Sequence, residues 1–166
     1  MSAARFTLEL SMPPVWERID AVRDAVRSLV ATYAGHDLCD ALAMVSAELL
    51  ENAVEYGAQN EPIELVVKDD DASVEICVTN AISPASTHPK ALVERVAWVK
   101  RFDEPLSAYT TALENMYSLE RATEENGLGI VRIFYEGGCD VECDVSTPGR
   151  VRVWARSRIR LTGSPP

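Results

Sequence analysis

Positive charge is what this sequence most lacks. Its 16 Lys and Arg residues stand against 26 Asp and Glu, a formal net charge of -10, so a nucleic-acid backbone or an anionic membrane would be repelled over most of the surface. No apolar run approaches the ~20 residues that span a bilayer, and the first residues lack the basic stretch and apolar core of a secretory signal. The chain is therefore expected in the cytoplasm, with no nucleic-acid or membrane partner. Cysteine is sparse. Cys39, Cys77, Cys139 and Cys143 show no Cys-x-x-Cys spacing, which argues against a zinc ribbon or a disulfide framework; Cys139 and Cys143 share a parity on a predicted strand and read as small face or core residues. His36 and His88 fall in loop-like contexts with no nucleophile or second ligand spaced with them, so neither is expected to be catalytic. Repeats and low-complexity tracts are absent. The remainder, 47% apolar and 25% charged over 166 residues, is ordinary globular composition, long enough for one domain over 1–166 with its own core.

What is present follows strand and helix periods. Residues 5–10 alternate as a strand, which Pro13 and Pro14 stop. Val15, Ile19, Val22, Val26, Leu29 and Val30 recur at helical spacing and predict an amphipathic helix over 15–33. Gly35 closes it, and Asp37 suits the N-cap of a second helix ending at Gly57. Strands at 63–68 and 74–80 follow, joined through Asp69, Asp70 and Asp71. Without further spaced oxygen ligands, those aspartates read as a solvated hairpin turn rather than a metal loop. Helical runs are expected over about 89–101 and 105–119, with Pro105 suited to a first turn. A polar loop at 120–126, a short helix at 129–135 and an end at Gly137 and Gly138 complete that region.

The final hairpin carries a parity code. Asp140, Glu142 and Asp144 share one parity, as do Arg150, Arg152, Arg156, Arg158 and Arg160 with Trp154, whereas Val151, Val153 and Ile159 face the other way. Because the charged positions are even on both strands, facing residues sum to an even number, and the expected register sets Asp144 opposite Arg152 and Asp140 opposite Arg156. A basic stripe suits a phosphate or a docking partner, but the acidic strand before it supplies cross-strand partners and favours a solvated ladder. Residues 161–166 read as a frayed tail.

The second helix holds the candidate chemistry. At helical pitch Leu38, Leu42, Val45, Leu49 and Tyr56 form an apolar stripe, and Asn52 falls inside it where a leucine is expected. Glu48 lies one turn earlier on the same side. A carboxylate and an amide oxygen so placed can hold a hydrated hard cation and orient a hydroxyl or water. A structural amide satisfied by the neighbouring layer is the plain alternative.

Glu48-Leu49-Leu50-Glu51-Asn52-Ala53, followed far downstream by Asn126-Gly127-Leu128-Gly129-Ile130-Val131, resembles the N-box and second glycine box of the GHKL (Bergerat-fold) ATPase superfamily. That superfamily includes histidine-kinase ATP-binding domains and the anti-sigma-factor serine kinases. The resemblance spans about 37–159. It implies a two-layer α/β sandwich, with a mixed, mostly antiparallel sheet, long helices on one face and an ATP lid over about 81–128. On that pattern Asn52 ligates the Mg²⁺ that bridges the ATP phosphates, and Glu48 acts as base or positions the attacking group. Gly127, Leu128 and Gly129 would bring lid backbone to the phosphates, beside the N-terminal dipole of the helix starting there; a plain loop-to-helix turn is the alternative. The first glycine box departs from the family's Val-x-Asp-x-Gly-x-Gly, because the sequence has Val78-Thr79-Asn80-Ala81-Ile82. The Asn80 carbonyl can still accept from the adenine amino group, without charge, while Ile82 crowds the base. With Tyr109 in the second lid helix, this variation is similar to the SiaB-type branch of anti-sigma-like kinases, which act on Ser or Thr of small anti-sigma-antagonist (STAS) proteins.

Two functions compete on these residues. One is an ATP- and Mg²⁺-dependent Ser/Thr protein kinase of a partner-switching system, monomeric or homodimeric, whose partner is a STAS-like antagonist or a sigma-factor-like protein. The other is a module of the same fold that has lost catalysis and sequesters a partner; the altered first glycine box favours it, and retention of Glu48 and Asn52 favours the kinase. A histidine-kinase domain is disfavoured, since no helix with a phosphoacceptor His precedes the N-box.

Overall fold

The computed structural model describes residues 6–70, 73–118 and 128–158. Within them the alternating segments are strands: β1 (Phe6–Met12), β2 (Ile63–Asp69), β3 (Val74–Ala81), β4 (Cys139–Asp144) and β5 (Arg150–Ser157). The pitched segments are helices: α1 (Ile19–Val30), α2 (His36–Tyr56), α3 (His88–Val99), α4 (Pro105–Ser118) and α5 (Leu128–Tyr135). The strands form an open sheet in the order β1-β2-β3-β5-β4, and every neighbouring pair is antiparallel. The expectation of a mixed sheet is thus corrected for the described residues. β3 and β4 do run in the same direction, but β5 lies between them, so they never pair.

Alternation along the strands sorts the side chains into two faces. Ile63, Leu65 and Val67 of β2, Val74, Ile76 and Val78 of β3, and Val151, Val153 and Ala155 of β5 are buried, whereas Glu64, Lys68, Arg152 and Arg156 point to the open side. The buried face meets α2, which touches β2, β3 and β5, while α1 packs on α2 through Val22, Val26 and Val30. Removing a side chain such as Leu42, Leu50 or Leu65 from water, each fully buried here, stabilises the fold by about 1.5–3 kcal/mol apiece.

Several boundaries differ from expectation for local reasons. A 3-10 turn at Trp16–Arg18 precedes α1, so that helix begins later than its apolar spacing predicts. α2 starts at His36 with Gly35 at the N-cap, and Asp37 lies inside the first turn, where its charge complements the positive end of the helix dipole instead of capping the helix. His36 and His88 both open helices instead of occupying loops. Asp69 is buried at the end of β2, not solvated, and Asp70 shapes the turn by accepting from the Ser73 N–H at 3.0 Å; Asp71 lies outside the described residues. No helix among the described residues is long and apolar enough to cross a membrane.

The hairpin adopts the register its parity dictates, with Asp140 opposite Arg156 and Asp144 opposite Arg152. Its ion pairs, however, extend beyond the hairpin. Arg156 reaches Glu75 on β3 at 2.6 Å, and Arg158 reaches Asp140 at 3.1 Å. Arg158 also donates to the carbonyls of Phe134 and Cys139, with its guanidinium 4.6 Å from the Phe134 ring centroid. This ties the C-terminal end of α5 to the sheet, where a cation suits the helix dipole. Ile159, Arg160 and the 161–166 tail lie outside the described residues.

Core burial and surface pairing should separate cleanly in urea denaturation. Leu42→Ala is expected to lower the unfolding free energy by about 2–5 kcal/mol, and Arg156→Ala by no more than about 1 kcal/mol.

Candidate functional site

The site forms where the first turn of α5 lies against the middle of α2. Ile130, Val131, Ile133 and Phe134 are buried and seat α5 in the core, which drives its N-terminal backbone onto the polar positions of α2. A Cβ at Gly129 would stand 2.8 Å from Oε2 of Glu48 and 3.6 Å from Nδ2 of Asn52. Only a residue without a side chain leaves Glu48 where it is. One turn further along α5, the Arg132 guanidinium donates to the Glu48 carboxylate through Nη1 and to Glu136 through Nε at 3.1 Å.

A cavity of about 340 Å³ opens between these helices and α3, within the size range of small-molecule sites. α2 contributes Glu48, Glu51, Asn52, Glu55 and Tyr56; α3 contributes His88, Ala91, Leu92 and Arg95; α5 contributes Leu128, Gly129, Ile130 and Arg132. The Tyr56 and His88 rings stack at 4.0 Å between centroids and 10° between planes, closing one end. Arg95 lies 5.3 Å from the Trp98 ring centroid. The lining thus holds three carboxylates against two guanidinium groups.

Burial pushes the Glu48 carboxyl above its usual 4.5; the Arg132 guanidinium opposes that rise, and Glu51 and Glu136 add to it. The thiols offer no alternative nucleophile at neutral pH. Burial raises Cys39, Cys77 and Cys143, and pushes Cys139 up to about 12.

Of the residues singled out in the sequence, Glu48, Asn52, Leu128 and Gly129 line this one cavity. Gly127 and the 120–126 loop lie outside the described residues. Asn80 is not brought to the cavity. It sits on the inward parity of β3, 6% exposed, and its Nδ2 donates to the Ala81 carbonyl at 3.1 Å. The end of α2 crowds that nitrogen, since a Cβ at Gly57 would lie 2.9 Å from it. Ile82 is half-buried against the core. Arg132, Arg95, Glu51, Glu55 and His88 were not anticipated. Arg132 follows Gly129 by three positions, so helical spacing alone puts it on the same side, and Glu51 and Glu55 follow Glu48 by three and seven positions, one and two turns along the same side. His88 has a loop-like sequence context but opens α3, which turns its ring toward Tyr56.

Among the described residues no cluster of three or more His, Cys, Asp or Glu side chains suits a metal. Mg²⁺ asks for less, one or two protein oxygens with phosphates and waters completing the octahedron. The Asn52 amide and neighbouring carboxylates fit a Mg²⁺-phosphate unit and do not fit a metal held by protein alone. Neither protein-family models nor curated proteins give a match to this chain.

The raised Glu48 carboxyl has a definite sign. Since the folded value lies above the unfolded one, its contribution to stability is fully present below 4.5 and is lost as pH rises through the folded value. In a ¹³C NMR titration Glu48 should protonate above the range of surface glutamates, and Arg132→Gln should move it further up. A Glu48 midpoint at or below 4.5 contradicts the assignment.

Proposed function

We propose that this chain is an ATP- and Mg²⁺-dependent protein kinase of the GHKL type, folded as that superfamily's two-layer α/β sandwich, which phosphorylates Ser or Thr of a small STAS-like partner in the cytoplasm. The observation that carries it is the meeting of Gly129 with Glu48 and Asn52. Two motifs far apart in sequence close on one cavity, as a shared phosphate site requires. The acidic lining agrees, because a polyanion enters such a cavity with a divalent cation rather than alone.

Each side chain has a distinct task. The Asn52 carbonyl oxygen would ligate Mg²⁺, which when bound neutralises charge on the bridged phosphates. Backbone at Leu128 and Gly129, at the positive end of α5, approaches the same phosphates. Glu48 takes the proton of the acceptor hydroxyl as its oxygen bonds to the γ-phosphorus and the bond to the bridging oxygen breaks, leaving ADP. A carboxyl held above its ordinary pKa is better matched to that proton than an exposed glutamate. Asn80 does not line the cavity, so this reading gives it no contact with the phosphates.

A module that only sequesters its partner is the second reading. It is favoured by the Arg132 guanidinium on Glu48 and by the withdrawal of Asn80 beneath α2.

Titration calorimetry with a non-hydrolysable ATP analogue and Mg²⁺, read beside phosphate incorporation into a co-purified partner, separates the two. Asn52→Ala should weaken Mg²⁺-dependent binding, whereas Glu48→Gln should not weaken it and should lower transfer by roughly 10²-fold or more. If the wild type holds its partner but binds no nucleotide at millimolar ATP and Mg²⁺, the kinase fails and the sequestering module stands.

A further inference from the structure

We propose that Arg132 is the group by which this cavity tells a nucleoside triphosphate from a diphosphate, exchanging the Glu48 carboxylate for the terminal phosphate. This rests on the nucleotide-binding reading above and goes beyond it by assigning specificity to a residue outside both motifs.

The geometry points to exchange rather than a fixed strut. The Glu48 side chain is 13% exposed and that of Arg132 is 37% exposed, so the guanidinium lies toward the open side of the pair, where an incoming anion meets it first. It lines the cavity one helical turn from Gly129, hence beside the backbone assigned to the phosphates. Its two engaged partners, Glu48 and Glu136, are both carboxylates. A phosphate dianion presents more acceptor oxygens and more charge to the same planar fork, and guanidinium recognises it bidentately. Arg95, the other cationic side chain of the lining, is placed over the Trp98 ring on α3, so Arg132 is the guanidinium at the Glu48 end.

The exchange has a consequence for timing. While Arg132 holds Glu48, the guanidinium works against protonation of the carboxylate. A terminal phosphate that draws the guanidinium away leaves Glu48 unpaired in a half-buried site, where it binds a proton more readily. The base is thereby armed by the substrate that needs it. A diphosphate, one group shorter, leaves the pair in place.

The test is calorimetric binding of Mg²⁺ with ADP and with a non-hydrolysable ATP analogue to the wild type, Arg132→Gln, Glu48→Gln and the double variant, each with its melting temperature. The wild type should prefer the triphosphate. Arg132→Gln should weaken the analogue by about tenfold or more, the scale of a charge-assisted hydrogen bond, and leave ADP nearly unchanged. Glu48→Gln, which frees the guanidinium, should tighten the analogue alone. The double variant guards against an unpaired Glu48 repelling phosphate in Arg132→Gln, and it should still lack the preference. If Arg132→Gln and the double variant keep the wild-type ratio, or if both nucleotides weaken together as the melting temperature falls, the pair is structural and this proposal is overturned while nucleotide binding stands. A wild type that binds neither nucleotide overturns both.

Discussion

The close seating of α5 on α2 is the constraint from which the rest of the site follows. Side chains are missing at both ends of α5, where it comes close to α2. At the N-terminal end a Cβ on Gly129 would strike Glu48, and just past the C-terminal end a Cβ on Gly137 would come within 2.5 Å of Cγ2 of Val45, also on α2. Between these points Ile130, Val131, Ile133 and Phe134 fill the core. Arg158 then fastens the last turn to β5 through the Phe134 carbonyl. With α5 fixed in this way, Glu48 and Asn52 face a backbone wall, and the cavity lies on the side toward α3.

Burial sets the character of that wall. A carboxylate half-removed from water costs free energy, and one guanidinium partner recovers only part of it, which is why Glu48 stays above its ordinary pKa despite Arg132. A pair of this kind adds little net stability. Its effect is to fix the direction of the carboxylate.

Elements whose signal is local were legible in the sequence. The strands and helices follow periods of two and 3.6, and the β4–β5 register follows from parity alone, so Asp140 and Arg156 face each other as expected. Asn80 shows where a motif competes with that same rule. It shares the parity of the buried Val74, Ile76 and Val78, and alternation alone points it inward under α2, away from the cavity. What depends on contacts distant in sequence was not legible. No local pattern encodes the placing of β5 between β3 and β4, or the meeting of Arg132 with Glu48 from the far end of the chain. The start of α2 was ambiguous for another reason, since Gly35 and Asp37 both suit an N-cap.

The arginine-rich last strand gathers cations that already face carboxylates across the sheet, Arg156 between Glu75 and Asp140 and Arg152 beside Asp144. Across the open face of the sheet, Lys68, Glu75, Arg156 and Asp140 fall in register as one row of alternating sign, and Arg156 is already paired with Glu75. A phosphate arriving there must displace a carboxylate while adding its own charge to an acidic protein, in full solvent where each contact is screened. In the cavity the exchange proposed for Arg132 would take place behind helices, where the N-terminal dipole of α5 and a bound divalent cation would offset the charge. On the nucleotide reading Arg132 would therefore matter more for anion recognition than the whole stripe on β5, which serves the sheet as one member of its cross-strand ladder.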